Sequence, residues 1–166
     1  MLRVALKIRC ISVRNHVLEG IPSGQQLETL EGDQIFLCDY DGILHGNYNF
    51  KTYTRVAKFF DTVVFNMVQK EYDLVDSLVS GAARVVVDPG MKDSVLQKVL
   101  DISPETVFPY GSQERVEQFR AYGGTAFLST RQINGPFSIC YNAGVAISSE
   151  KYVDIENFPE DLLRFI

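Results

Sequence analysis

Short apolar runs alternate along this chain with segments whose apolar residues recur every three or four positions. Ile35-Phe36-Leu37-Cys38 is a continuous apolar run that ends in Asp39-Tyr40-Asp41-Gly42. Phe50, Tyr53, Ala57 and Phe60 follow at steps of three and four, which predicts a one-sided helix, and Asn49 stands before it as an N-cap. The unit then repeats. Thr62 to Phe65 reads as a strand, and Leu74, Val75, Leu78 and Val79 read as a helical face that Gly81 terminates. Arg84 to Val87 is the next strand, closed by Asp88-Pro89-Gly90, and Val95, Leu96, Val99 and Leu100 form the next face. Thr106 to Phe108 precedes a helix around Val116 and Phe119, and Thr125 to Leu128 is a further strand. Later come the strand-like segments Phe137 to Tyr141 and Ala143 to Ile147, and a short helix from Phe158 to Leu163 with Pro159 in its first turn. Residues 14 to 34 hold glycines and a proline but little helical period.

Strands that are apolar on both faces and separated by helices predict a parallel sheet, covered on both sides or closed into a barrel. Short connections make sequential strands neighbours, so the strands at Ile35, Thr62, Arg84 and Thr106 are expected in chain order. Phe60, Val64, Leu78, Val86 and Leu96 are expected to be buried. The length of 166 residues, with no linker or low-complexity stretch, fits one domain over 1–166.

Composition narrows the class of partner. The net charge is −5 and the Lys and Arg residues are scattered singly, so a nucleic-acid partner is not expected. Cys10, Cys38 and Cys140 are too widely spaced for a CxxC pair or a disulfide framework; Cys10 and Cys38 sit in apolar runs as buried hydrophobes. Met1 to Ile8 lacks the unbroken apolar stretch of a leader, and no segment is long and apolar enough for a bilayer. A reduced, cytoplasmic setting without a membrane partner is therefore expected.

In parallel α/β folds the loops after the strands' C-terminal ends form the chemical face. Gly42, Asn66, Asp88, Gly90 and Tyr110 stand at such ends and become candidate ligand-binding residues, together with Asn49. Asp39 and Asp41 are the candidate catalytic pair. Residues at i and i+2 of a strand share a side, so the two carboxylates are expected to converge and to face one cavity with Asn66 and Asp88. Such a pair could hold a metal or divide into acid and base. No metal site or cofactor is assigned. The chain has no GxxxxGK[ST], GxGxxG, HExxH or GxSxG, and His16 and His45 stand in no motif.

Ile35 to Phe50, IFLCDYDGILHGNYNF, resembles the second-strand segment of the barrels of histidine-biosynthesis isomerase and cyclase subunits. Asp39, Asp41, Gly42, Gly46 and Asn49 match that family's pattern. Leu74 to Val87 is similar to its third helix and fourth strand, so the match covers about residues 35–90. The resemblance implies an α/β fold of TIM-barrel type that is shortened or incomplete, since such barrels take about 250 residues. It also implies a small phosphorylated or anionic metabolite as ligand, in sugar-phosphate or one-carbon cofactor metabolism. The family's two catalytic aspartates have no counterpart, because Val4 to Val13 and Thr106 to Gly111 contain no acid. A barrel short of helices either lacks them outright or buries an open edge against a second copy as a homo-oligomer, a dimer in the simplest case. Phe36 to Gly42 also resembles the nucleophile strand of haloacid-dehalogenase-type phosphatases. There Asp39 would attack phosphorus, Asp41 would act as acid and base, and Mg²⁺ would neutralise charge. A third reading is a scaffold that keeps the barrel without chemistry.

Overall fold

The computed structural model describes residues 6–166. Met1 to Ala5, which belong to the leader reading and include the first two residues of the acid-free stretch Val4 to Val13, lie outside the described residues. Eight parallel strands close into a ring: β1 (Leu6–Arg14), β3 (Gln34–Asp39), β4 (Asp61–Val68), β5 (Ala82–Val87), β6 (Val107–Pro109), β7 (Ala126–Ser129), β8 (Ile139–Asn142) and β9 (Tyr152–Glu156). The ring follows chain order and shuts where Leu6 to Arg9 of β1 pair with Val153 to Glu156 of β9. Closure leaves the barrel no open edge. The remaining strand, β2 (Val17–Glu19), is a short antiparallel flap on β1.

Alternation along each strand sorts its side chains into two cores. Ile8, Cys10, Phe36, Cys38, Val63, Phe65, Val86, Val107, Leu128, Tyr141 and Val153 point inward and fill the barrel. Ile11, Val13, Ile35, Leu37, Val64, Val85, Val87, Phe108 and Phe127 point outward under a second layer. A continuous apolar run such as Ile35 to Cys38 supplies both cores at once.

The outer layer is uneven. From β3 to β7 it is helical: α1 (Tyr40–His45) and α2 (Phe50–Ala57) follow β3, then come α3 (Glu71–Val79), α4 (Asp93–Ile102) and α5 (Gln113–Ala121). From β7 round to β3 no α-helix is present among the described residues. Leu18, Ile21, Leu27 and Leu30 cover β1 and β3 from residues 15–33, and Ile133, Phe137 and Ile147 come from the loops flanking β8. The region without helical period thus forms a hairpin and one 3₁₀ turn, Leu27–Thr29. The shortening expected for the barrel consists of these absent helices.

Four of the five expected core residues are buried, Phe60, Val64, Val86 and Leu96, whereas Leu78 is only partly so. The face of α3 differs from the one read in the sequence. Leu74 and Ser77 are its buried positions, while Val75 is 36% and Val79 81% exposed. A polar contact accounts for the rotation: the Asn66 amide donates to Ser77 Oγ at 3.1 Å, which fixes Ser77 inward.

Candidate functional site

Asp39 is the last residue of β3 and lies in the outward register of Ile35 and Leu37, so its carboxylate points beneath α2, away from the barrel lumen. It has no exposure. Four donors meet it: Gly42 N at 3.0 Å and Asn49 Nδ2 at 2.7 Å on Oδ1, and Asn49 N at 2.9 Å and the Tyr53 hydroxyl on Oδ2. A buried carboxylate needs such a set, because burial without partners costs several kcal/mol (roughly 2–7 even for a neutral polar group). Burial first, and then the adjacent Asp39 carboxylate, push the Tyr53 phenol far above its ordinary range, so it stays a donor.

Asp41 lies on α1 and reaches the tip of the β1–β2 hairpin. Its oxygens accept from Asn15 N at 3.0 Å, His16 N at 3.2 Å and Asn49 Nδ2 at 2.8 Å. Burial alone would raise its pKa, but these hydrogen bonds outweigh it and hold the carboxyl below its ordinary value. Asn15 and His16 adopt positive φ, 51° and 65°, which turns both amides toward the acid. Asp41 lies past the end of the strand on α1, so the two carboxylates meet not by strand parity, as expected, but on the amide of Asn49. That residue occupies the N-cap of α2 without capping it, since its side chain joins Asp39, Asp41 and His16 Nδ1, the last at 2.6 Å. The network continues inward as Asn66 Nδ2 donates to Tyr53 Oη at 3.0 Å. Both partners of that amide are committed elsewhere as donors, which leaves the Asn66 Oδ1 buried and unpartnered.

The open space lies next to this network. A cleft of about 500 Å³ runs along the C-terminal ends of β3, β4 and β5. Gly42, Tyr48, Met67, Gln69, Lys70, Tyr72, Asp73, Asp88 and Phe165 line it. Met67 sits in a bulge of β4 with φ of 56°, a strained backbone for an unbranched side chain of its size. Asp88 accepts from Gln69 Nε2 and Gly90 N, both at 2.7 Å. Burial raises the Asp73 carboxyl, against the pull of Lys70, and burial together with Asp73 lifts the Tyr48 phenol to about 12. The wall thus offers one ammonium, which lies 5.5 Å from the Tyr72 ring centroid, two carboxylates and the phenols of Tyr48 and Tyr72.

Of the residues singled out in the sequence, Gly42, Gly46 and Asp88 reach this cleft. Asp39, Asp41, Asn49 and Asn66 form the sealed network behind it, so the expected single cavity shared by Asp39, Asp41, Asn66 and Asp88 is not formed. Strand parity is the reason: Asp39 and Asn66 fall in the outward register, whereas the cleft opens past the strand ends. Gly90 borders a neighbouring hollow of about 330 Å³ with Gly111, Ser112 and Arg115. Tyr110 is buried away from both, its hydroxyl accepting from Asn134 N at 3.2 Å. Sequence reasoning missed Tyr48, Tyr53, Lys70 and Asp73. Lys70 and Asp73 could have been found as the polar start of a helix that follows a strand end.

Among the described residues no group of three or more His, Cys, Asp or Glu side chains could hold a metal ion, and no helix is long and apolar enough to cross a membrane. No family model and no curated protein matches the sequence.

Proposed function

We propose that this chain is a divergent relative of the histidine-biosynthesis isomerase and cyclase barrels, and that it binds a small metabolite bearing an anionic group in the cleft over β3–β5. The observation that carries the reading is the lining of that cleft. Lys70 supplies the cation for a phosphate or carboxylate, and Asp73, Asp88 and Tyr48 supply partners for hydroxyl or amino groups of the same molecule. A wall holding two acids suits a polyhydroxylated monoanionic or phosphorylated compound better than a densely charged one. The barrel interior is filled with side chains, which leaves the strand ends as the place for a ligand. Binding rather than turnover is the part that the geometry supports. The three free, buried cysteines fit a reducing cytoplasm, with burial lifting the Cys140 thiol to about 12.

The phosphatase reading has less support, because both oxygens of Asp39 are engaged by four donors and none faces open space. The test is a thermal-shift screen of sugar phosphates and small carboxylates, with and without Mg²⁺. A true ligand at 100 Kd stabilises by about 2.7 kcal/mol. The shift is expected to vanish in Lys70→Met and to shrink in Asp88→Asn. A screen in which no compound stabilises the native protein would favour the scaffold, and Mg²⁺-dependent hydrolysis of a phosphate ester that Asp39→Asn abolishes would restore the phosphatase.

A further inference from the structure

The segment after β9 turns back over the C-terminal mouth of the barrel. Asn157, with φ of 64°, makes the turn, and a 3₁₀ helix follows over Glu160–Phe165. Among the described residues this segment makes no ladder hydrogen bonds with the barrel; its own backbone bonds, Leu162 N to Pro159 O and Ile166 N to Leu163 O, are local. Side chains hold it. Phe158 stacks on Phe65 and meets the edge of Phe36, with centroids 6.0 Å apart in each case, and Leu162 is 1% exposed among the lumen residues. Ahead of Leu162 stands Asp161, which accepts from the Tyr40 hydroxyl at 2.8 Å and lies 3.9 Å from Arg14 Nη2. Arg14 in turn stacks over the Tyr40 ring at 3.9 Å. A carboxylate that stays 59% exposed, beside an Arg14 that also lies 3.7 Å from Glu19, and one fully buried apolar side chain of the same 3₁₀ segment thus lie against β1 and the start of α1.

We propose that residues 158–162 are an internal occupant of a second binding site, a seat for a small carboxylate carrying an apolar chain. Arg14 and Tyr40 take the carboxylate where Asp161 now lies, and the mouth of the lumen beside Phe36, Phe65 and Cys38 takes the chain where Leu162 now lies. Two features separate this occupant from ordinary core. Among the described residues it has no backbone bond to the strands it covers, and it follows a residue in the left-handed region. The opening of such a segment needs only the loss of side-chain contacts, so it can occur while the barrel ladder stays intact. A ligand for the seat competes with the segment, and its apparent affinity is lowered by the fraction of time the seat is free. This site is distinct from the cleft over β3–β5 and does not depend on that cleft's ligand. The two share only Phe165, which belongs to the same segment and lines the cleft, so displacement of the segment would also widen it.

The test uses octanoate as probe, with octanol as its uncharged counterpart. The double variant Asp161→Ala, Leu162→Ala should bind octanoate about tenfold or more tightly than the native protein does, and in preference to octanol. Arg14→Met in that background should abolish the preference. Cys10 and Cys38 lie in the lumen, so their reaction with a thiol reagent should accelerate in the double variant and slow again when octanoate is added. A folded double variant that binds octanoate no better than the native protein, or octanol equally well, overturns the proposal. If that variant does not fold, hydrogen exchange on the native protein decides. Amides of residues 160–166 should exchange faster than those of β3 and β4, and exchange of the segment only with the whole barrel would refute an opening.

Discussion

The two halves of this barrel solve one problem differently. Between β3 and β7 each strand is followed by helix, and the outward side chains Leu37, Val64, Val85 and Phe108 are roofed by Tyr53, Leu74, Leu96 and Phe119. From β7 through β9 to β1, loops and a hairpin do the roofing with Ile133, Phe137, Ile147 and Leu18. The inner cores of the two halves are alike, since each of the eight barrel strands contributes inward residues to one lumen cluster. A closed parallel barrel therefore requires that its outer face be kept dry, and it does not require helices for the purpose. Loops do so at closer range. An added Cβ at Gly144 would collide with the Thr130 carbonyl oxygen, so the loop after β8 approaches the loop after β7 backbone to backbone. Both halves bury polar groups: the helical half holds the network of Asn49, Asp39, Tyr53 and Asn66 with the cleft against it, and the loop half holds Asn142, whose amide donates to Asp154 Oδ1 at 2.7 Å and Val145 O at 2.8 Å.

Truncation of the roof on each side measures this contrast most directly. Leu96→Ala should cost about 2–5 kcal/mol, since the residue is fully buried on the inner face of α4, whereas Ile147→Ala in the loop roof should cost nearer ~1 kcal/mol. Urea denaturation of both variants gives the comparison, and equal losses would mean that the loops pack as tightly as the helices. Next in size is Asp39→Asn, expected at about 3 kcal/mol, because the new amide nitrogen would confront donors that now have a carboxylate. A near-neutral result would show that the network is not a stability element of the helical half.

The pH dependence sharpens the same point. The Asp41 carboxyl is held below its ordinary value of 3.8, so its contribution is fully present above that pH and disappears as pH falls through the lower native value. Native protein should therefore lose stability on acidification below about pH 4 more steeply than Asp41→Asn does. Parallel acid titrations by circular dichroism check it, and identical slopes would reject the assignment. Smallest of all is Val79→Ser. The side chain is 81% exposed on α3, so a change within about 0.5 kcal/mol is expected, while a larger loss would return the buried face of α3 to the register first read from the sequence.

What the sequence determined by itself is the layer order. Runs such as Ile35-Phe36-Leu37-Cys38 are apolar at both parities, which is what a strand with a core on each side demands, and Gly81 marks the end of its helix at φ of 114°. The parallel order from Ile35 to Thr106 followed from the short connections. Tertiary structure alone decided where the carboxylates of Asp39 and Asp41 point. Strand parity is relative, and only the closed ring fixes that Phe36 looks into the lumen and Asp39 looks out beneath α2. Closure itself rests on β9 meeting β1 across almost the whole chain, a pairing that no local pattern encodes. The face of α3 was likewise settled by a partner distant in sequence, because the amide of Asn66 needed a hydroxyl and Ser77 supplied it. Hydrophobic periodicity records which residues avoid water, whereas a buried polar atom takes its position from whichever group can satisfy it, and that group is known only once the chain has folded.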